Sequence, residues 1–304
     1  MATRKVSEAR IITAIISPML KDYSIDYEGA KRLARFLVEN GSDGVVVCGT
    51  TGESPALSAD EKLELTRVVR EAIPDHVVVA GVGTNSTSES VKMTRLVEPL
   101  GVDAVMAVTP YYNKPPQEGL YNHFMSIAEA TSLPVMIYNV PSRTAVNISS
   151  DTVLRLAESG RFCGIKEASG DLDQMARIIE SAPPEFRLWS GDDSLTLPVM
   201  SIGGYGVVSV ASHICGRAMK QMIEYYLAGN VSMAAQMHRQ LLPIFKGLFI
   251  ITSPIPLKAV MNMLGLPAGP CRPPLCEAND SQRQVLSELV SKHQSVLDAT
   301  KAYA

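Results

Sequence analysis

The chain has 304 residues, 46% of them hydrophobic and 19% charged, with a net charge of −3. That composition provides no basic excess for nucleic acid or an anionic membrane surface, and its longest apolar runs, at 45–48 and 77–80, are too short to span a bilayer. Five cysteines, an odd number over a long chain, predict reduced thiols in a cytoplasmic setting, and residues 1–6 lack the apolar core of a signal peptide.

From residue 10 onward, short β-branched runs alternate with segments of helical period. Strands are expected at 11–16, 43–48, 77–81, 103–109, 135–138, 162–166, 187–189 and 206–210. Between them, Ala30, Leu33, Ala34 and Leu37 stand at the i, i+3, i+4, i+7 spacing of one helix face. Leu65, Val68, Val69 and Ala72 repeat it, and so do Met93, Leu96, Val97 and Leu100. Ser58 with Glu61 and Ser86 with Glu89 have capping-box spacing, while Gly41 and Gly101 fall where helices should stop.

Strands alternating with helices imply an α/β fold with a parallel sheet, and eight such units suit a closed (β/α)8 TIM barrel. The other reading, a doubly wound open sheet, usually carries a glycine-rich phosphate turn after its first strand, where this chain has Ser17-Pro18-Met19. After residue 230 the strand signal stops. Segments 233–249, 256–264 and 281–299 read as helices, separated by the Pro/Gly-rich stretch 265–274. The expected organisation is a barrel over 1–230 that carries the active site, followed by a C-terminal helical region over 231–304. That region is read as an appendage without a function of its own.

In a barrel the chemistry belongs to the loops after the strands. The second strand leads into Gly49-Thr50-Thr51-Gly52-Glu53-Ser54, where backbone N–H groups and hydroxyls can converge on a small anion; taken alone it also reads as a plain glycine turn. The fourth leads into Tyr111-Tyr112-Asn113-Lys114-Pro115-Pro116, two phenols in a proline-stiffened loop that equally suits packing. The fifth ends in Tyr138-Asn139-Val140-Pro141-Ser142-Arg143-Thr144, adding a third phenol and a guanidinium able to take a carboxylate through two hydrogen bonds. The sixth is apolar up to Lys166. Desolvation at a strand end disfavours the ammonium and leaves a free amine to attack a carbonyl; the bland alternative is a surface lysine. Together the loops assemble a carbonyl-chemistry site: an amine nucleophile, phenols to move protons, and hydroxyls and an arginine for carboxylates.

Other chemistries find less support. The five histidines are scattered without ligand spacing, and Cys271 and Cys276 flank two prolines with no second pair or nearby histidine, so no metal site is expected. Asp192 and Asp193, after Gly191, read as a helix N-cap.

The motifs at 49–53, 111–115, 138–144 and 165–170, with Ser190-Gly191-Asp192-Asp193, 206–210 and Pro254-Ile255-Pro256-Leu257-Lys258, together resemble the dihydrodipicolinate synthase family. That family lies within the class I pyruvate aldolase superfamily, which also includes N-acetylneuraminate lyase. The likeness covers nearly the whole chain in order, and the segment 138–144 favours the synthase branch. It implies a lyase of lysine and diaminopimelate biosynthesis that joins pyruvate to L-aspartate 4-semialdehyde and yields 4-hydroxy-tetrahydrodipicolinate.

In the roles so implied, Lys166 forms a Schiff base with pyruvate and Tyr138 is the general acid/base over it. Thr50 links Tyr138 to Tyr112, which reaches in from a neighbouring subunit. Thr51 holds the pyruvate carboxylate, Arg143 binds the semialdehyde carboxylate, and Gly191 and Val208 line the site through backbone carbonyls. The resemblance also implies a homotetramer built from tight dimers, with no metal or organic cofactor. An L-lysine effector pocket in part of the family matches Ser54, Pro55, Ala59, Lys62, Asn85, Glu89 and Tyr111 here. Sensitive members carry histidines where this chain has Ala59 and Lys62, and a lysine there would repel a cationic effector, so weak inhibition is expected. Sialic-acid and keto-deoxy-sugar-acid lyases are the competing aldolase reading. A non-catalytic binding barrel is the reading from another class.

Overall fold

Runs of valine, isoleucine and alanine interrupted by helical segments fold into eight short strands. These are β1 (Ile11–Ala14), β2 (Gly44–Val47), β3 (Val77–Gly81), β4 (Ala104–Val108), β5 (Val135–Asn139), β6 (Phe162–Glu167), β7 (Arg187–Ser190) and β8 (Gly206–Ser209). A computed structural model of the chain describes residues 6–298. The strands close into a barrel in chain order, and neighbours from β3 to β8 run parallel. β1, β2, β5 and β8 are buried at every position. Strands covered on both faces read as continuous apolar runs, which is why the sequence locates them to within two residues at either end.

The chain divides into two compact units, one formed by the segment up to Ile12 with Val77–Val208, the other by Thr13–His76 with the chain from Ser209 onward. In the first, β6 carries a bulge. Val135 pairs with Phe162 and Met136 with Gly164, so Cys163 is an extra residue in β6. Side chains alternate faces along a strand, so one inserted residue reverses the facing of everything after it. With the bulge, Lys166 pairs with Tyr138 and Glu167 with Asn139; in straight register Lys166 would have paired with Asn139. Gly164 makes the bulge possible. Its φ is +152°, and a Cβ there would lie 2.0 Å from Arg187 O and 2.6 Å from the Trp189 ring.

The third predicted helix face proves misplaced. Helix Thr87–Val97 buries Ser90, Thr94 and Val97, while Leu96 is exposed and Met93 and Leu100 are half-buried. The buried hydroxyls are satisfied within the helix, Thr94 donating to Ser90 O (2.8 Å) and Ser90 to Ser86 O (2.9 Å), so polar side chains occupy the inner face without leaving an unpaired group. Ser86 caps only one way, accepting from Glu89 N (3.4 Å).

In the second unit the expected helices form. Tyr27–Glu39 buries Ala30, Leu33, Ala34 and Leu37, and Ala59–Ala72 buries Leu65, Val68, Val69 and Ala72 behind a complete Ser58–Glu61 capping box. Helix Ser212–Leu227 follows β8, and Val231–Gly247, Ile255–Met263 and Asp280–Lys292 complete the described C-terminal region. The last of these ends earlier than expected, with a short turn at Gln294–Val296 after it; residue 299 lies outside the described residues. No helix among the described residues is long and apolar enough to cross a membrane.

Candidate active site

Lys166 and Tyr138 are side by side at the carboxyl ends of β6 and β5. Both are buried, Lys166 to 4% exposure, and Lys166 Nζ lies 4.1 Å from the centroid of the Tyr138 ring. The amine therefore lies over the face of the phenol ring, and both groups are shielded from solvent. Backbone bonds continue the strands into their loops: Thr109 N donates to Tyr138 O (2.9 Å), Ala168 N to Asn139 O (2.9 Å) and Gly191 N to Glu167 O (2.7 Å). Gly191 is pressed against the lysine, since a Cβ there would lie 2.6 Å from Ala168 Cβ and 3.3 Å from Lys166 Cε. A side chain at this position would clash with Ala168 and crowd the lysine. Val208 is fully buried in β8 of the same unit.

On the outer face of β5 and β6, Glu167 answers Asn139. Its carboxylate accepts from Asn139 Nδ2 (3.1 and 3.0 Å), Ser169 N (2.7 Å) and Gln174 Nε2 (3.2 Å). Burial raises its pKa, against the opposing pull of those donors. The sequence motif contains Glu167, but alternation was the only signal that it faces away from the lysine.

Arg143 is exposed on the short helix Pro141–Thr144, which Thr144 anchors by donating to Val140 O (3.2 Å). Tyr112 is 88% exposed at a left-handed φ of +75°, with Lys114 also left-handed. Asn113 ties this loop down by donating to Asn85 O (2.9 Å). Glu89 is exposed and Tyr111 half-buried.

The second unit carries the loop after β2. Left-handed residues, Cys48 (φ +58°) and Glu53 (φ +54°), bracket it. Glu53 N donates to Thr50 O (3.0 Å), Ser54 N to Gly49 O (3.3 Å), and Ser17 Oγ to Gly52 O (2.7 Å). Thr51 is buried, and Thr50 and Ser54 are half-buried. Burial lowers the pKa of half-buried Lys62. Sequence reasoning missed the anchor beneath this loop: Glu53 faces Lys258 in an ion pair of 2.5 Å, both side chains almost wholly buried.

Two histidines are packing residues. His213 accepts from Ile16 N (3.1 Å) and His123 meets Thr87 Oγ1 (2.9 Å); burial lowers both pKa values to about 4. Asp192 caps the turn Asp193–Leu195, accepting from Ser194 N (2.8 Å) as its spacing implied.

An eight-stranded α/β barrel with a buried lysine near the end of one strand, paired to a tyrosine on the neighbouring strand, defines the class: a barrel that encloses an amine and a phenol together. The chain belongs to the dihydrodipicolinate synthetase family, whose model matches residues 7–293. It is 52% identical over 279 residues to 4-hydroxy-tetrahydrodipicolinate synthase of Moorella thermoacetica, covering 91% of this chain and 96% of that protein. A second synthase so named, from Desulforudis audaxviator, is 51% identical over 290 residues, covering 95% and 99%. Among solved structures, the dihydrodipicolinate synthase of Cyanidioschyzon merolae, crystallised with lysine bound, superposes with a TM-score of 0.93 at 44% identity, covering 95% of this chain and 99% of that one.

Proposed function

We propose that the chain is a lyase that condenses pyruvate with L-aspartate 4-semialdehyde to 4-hydroxy-tetrahydrodipicolinate, in lysine and diaminopimelate biosynthesis. The observation that carries this reading is the buried Lys166–Tyr138 pair in a chain so similar to proteins bearing that name. The Lys166 amine adds to the ketone carbon of pyruvate and water leaves, forming an iminium ion. Loss of a methyl proton gives an enamine, and the iminium serves as the electron sink that a cofactor would otherwise supply. The enamine carbon bonds to the aldehyde carbon, whose oxygen takes a proton. The amine of the semialdehyde then adds to the iminium carbon, closing the ring, and Lys166 departs as the free amine.

Tyr138 is positioned to give and take the protons of the imine steps. Thr50 and Tyr112 complete its relay in the roles the family motifs assign, Thr51 takes the pyruvate carboxylate, and Arg143 the semialdehyde carboxylate. Gly191 and Val208 turn backbone carbonyls to the site. The exposed, backbone-strained Tyr112 supports an assembly, a homotetramer of tight dimers, in which it serves a neighbouring subunit. Five cysteines without disulfides agree with a cytoplasmic enzyme. Ser54, Asn85, Glu89 and Tyr111 remain the matched effector positions.

Borohydride reduction in the presence of pyruvate, followed by peptide mass mapping, tests the chemistry: the adduct should sit on Lys166 and vanish in Lys166→Ala. Turnover coupled to dihydrodipicolinate reductase and NADPH tests the second substrate. An adduct without turnover would keep the imine and assign another aldehyde, as in the sugar-acid lyases; no adduct at all would leave a binding barrel.

A further inference from the structure

By its sequence the segment after residue 230 reads as an appendage, yet it supplies the only basic side chain bound to the buried carboxylate of the Thr50–Thr51 loop among the described residues. Lys258, on helix Ile255–Met263, places Nζ 2.5 Å from Glu53 Oε1, and the side chains are 2% and 1% exposed. That contact is ionic rather than directional; the aligned hydrogen bond of Nζ goes to Pro270 O at 2.8 Å. The second carboxylate oxygen, Oε2, accepts from Arg272 N at 2.7 Å. The Arg272 guanidinium continues outward to both oxygens of Glu61 (2.8 Å each) and to Ala56 O (2.8 Å), closing the far side of the same loop.

Glu53 itself is left-handed and closes the turn through its N–H to Thr50 O. Its side-chain position and the path of the backbone at Thr50, Thr51 and Gly52 are thus one constraint. A buried ion pair is weak evidence for stability, because desolvation offsets most of the attraction, and it is better explained by the geometry it enforces. Carboxylate binding by a short loop demands such geometry, since hydroxyl and N–H donors must be held before the ligand arrives.

We propose that Glu53 and Lys258 are positioning residues for the keto-acid carboxylate: the C-terminal helix pins the Thr50–Thr51 loop through a buried charge pair. This rests on the reading of Thr51 as the carboxylate-binding residue. Removing one charge frees the loop and strands its partner in a dry site, so both binding and stability fall. Removing both spares the stranded charge but still leaves the loop untethered.

The experiment compares Lys258→Met, Glu53→Gln and the double variant with the unaltered enzyme, by melting midpoint and by steady-state kinetics well below the lowest midpoint. Each single variant is expected to melt earlier and to raise the pyruvate KM about tenfold, with the semialdehyde KM within twofold. In the double variant the midpoint should recover while the pyruvate KM stays raised. A pyruvate KM that recovers together with the midpoint, or one that never rises, overturns the positioning role. So does a rise in the two KM values alike. Thr51→Ala, with the pair intact, reports on the underlying reading separately. A normal pyruvate KM there removes Thr51 as the carboxylate site, whereas a raised one beside a normal value in Lys258→Met removes only the role of the pair.

Discussion

At the scale of single residues, the candidate site separates charges by the work each can do. Lys166 is buried beside a phenol, as an amine nucleophile requires, while Arg143 is exposed at the end of a short helix. In the proposed reaction the buried amine takes pyruvate first, and the exposed guanidinium meets the semialdehyde that arrives second. Arg143→Ala should therefore raise the semialdehyde KM by about tenfold to a hundredfold, the loss of a charged hydrogen-bond pair of roughly 1.5–3 kcal/mol, with the pyruvate KM little changed. Initial-rate kinetics with each substrate varied in turn measure this. Equal effects on both would take Arg143 out of its assigned place.

At the scale of elements, the join between β1 and the helix after β8 contains a built-in acid sensitivity. His213 Nε2 accepts the N–H of Ile16, and Nδ1, which then carries the proton, meets Val210 O (2.8 Å). Burial lowers its pKa to about 4, and the imidazole of the unfolded chain titrates at its ordinary value of about 6.5. Between those values the unfolded state binds more protons, so stability that is complete above about pH 6.5 is lost as the pH falls towards 4. Urea midpoints should drop across that window. His213→Gln, which can still accept from Ile16, should make the drop shallower without abolishing it, because burial shifts His123 the same way while the raised carboxyl of Asp298 opposes both. A variant whose midpoints fall as steeply as those of the unaltered chain would place the sensitivity elsewhere.

At the scale of the whole molecule, the proposed regulation and assembly turn on particular surface positions. Lys62 stands half-buried at a position the resemblance assigns to the effector pocket, and desolvation already lowers its pKa. A second cation brought close would add repulsion to that burial cost. L-lysine is accordingly expected to inhibit only at millimolar concentration or above in the coupled assay. Half-inhibition well below millimolar would sink the argument. Tyr112 belongs to this scale as well, as the exposed phenol that the proposed assembly would use.

Barrel class, strand positions, most helix faces and the four loops that carry the proposed site were legible in the sequence, because they depend on local periodicity and on residues adjacent in the chain. The family motifs added roles that spacing alone could not. Three features were decided only by tertiary structure. The face that Thr87–Val97 buries, with Ser90 and Thr94 on it, is chosen by packing against the rest of the fold, which no hydrophobic period announces. Lys166 meets Tyr138 because Cys163 is an extra residue in β6, and a shift in register is a relation between two strands rather than a property of one. Glu53 is anchored by Lys258 and by Arg272, the latter 219 residues away, and a buried charge chooses its partner by proximity after folding, not by distance along the chain.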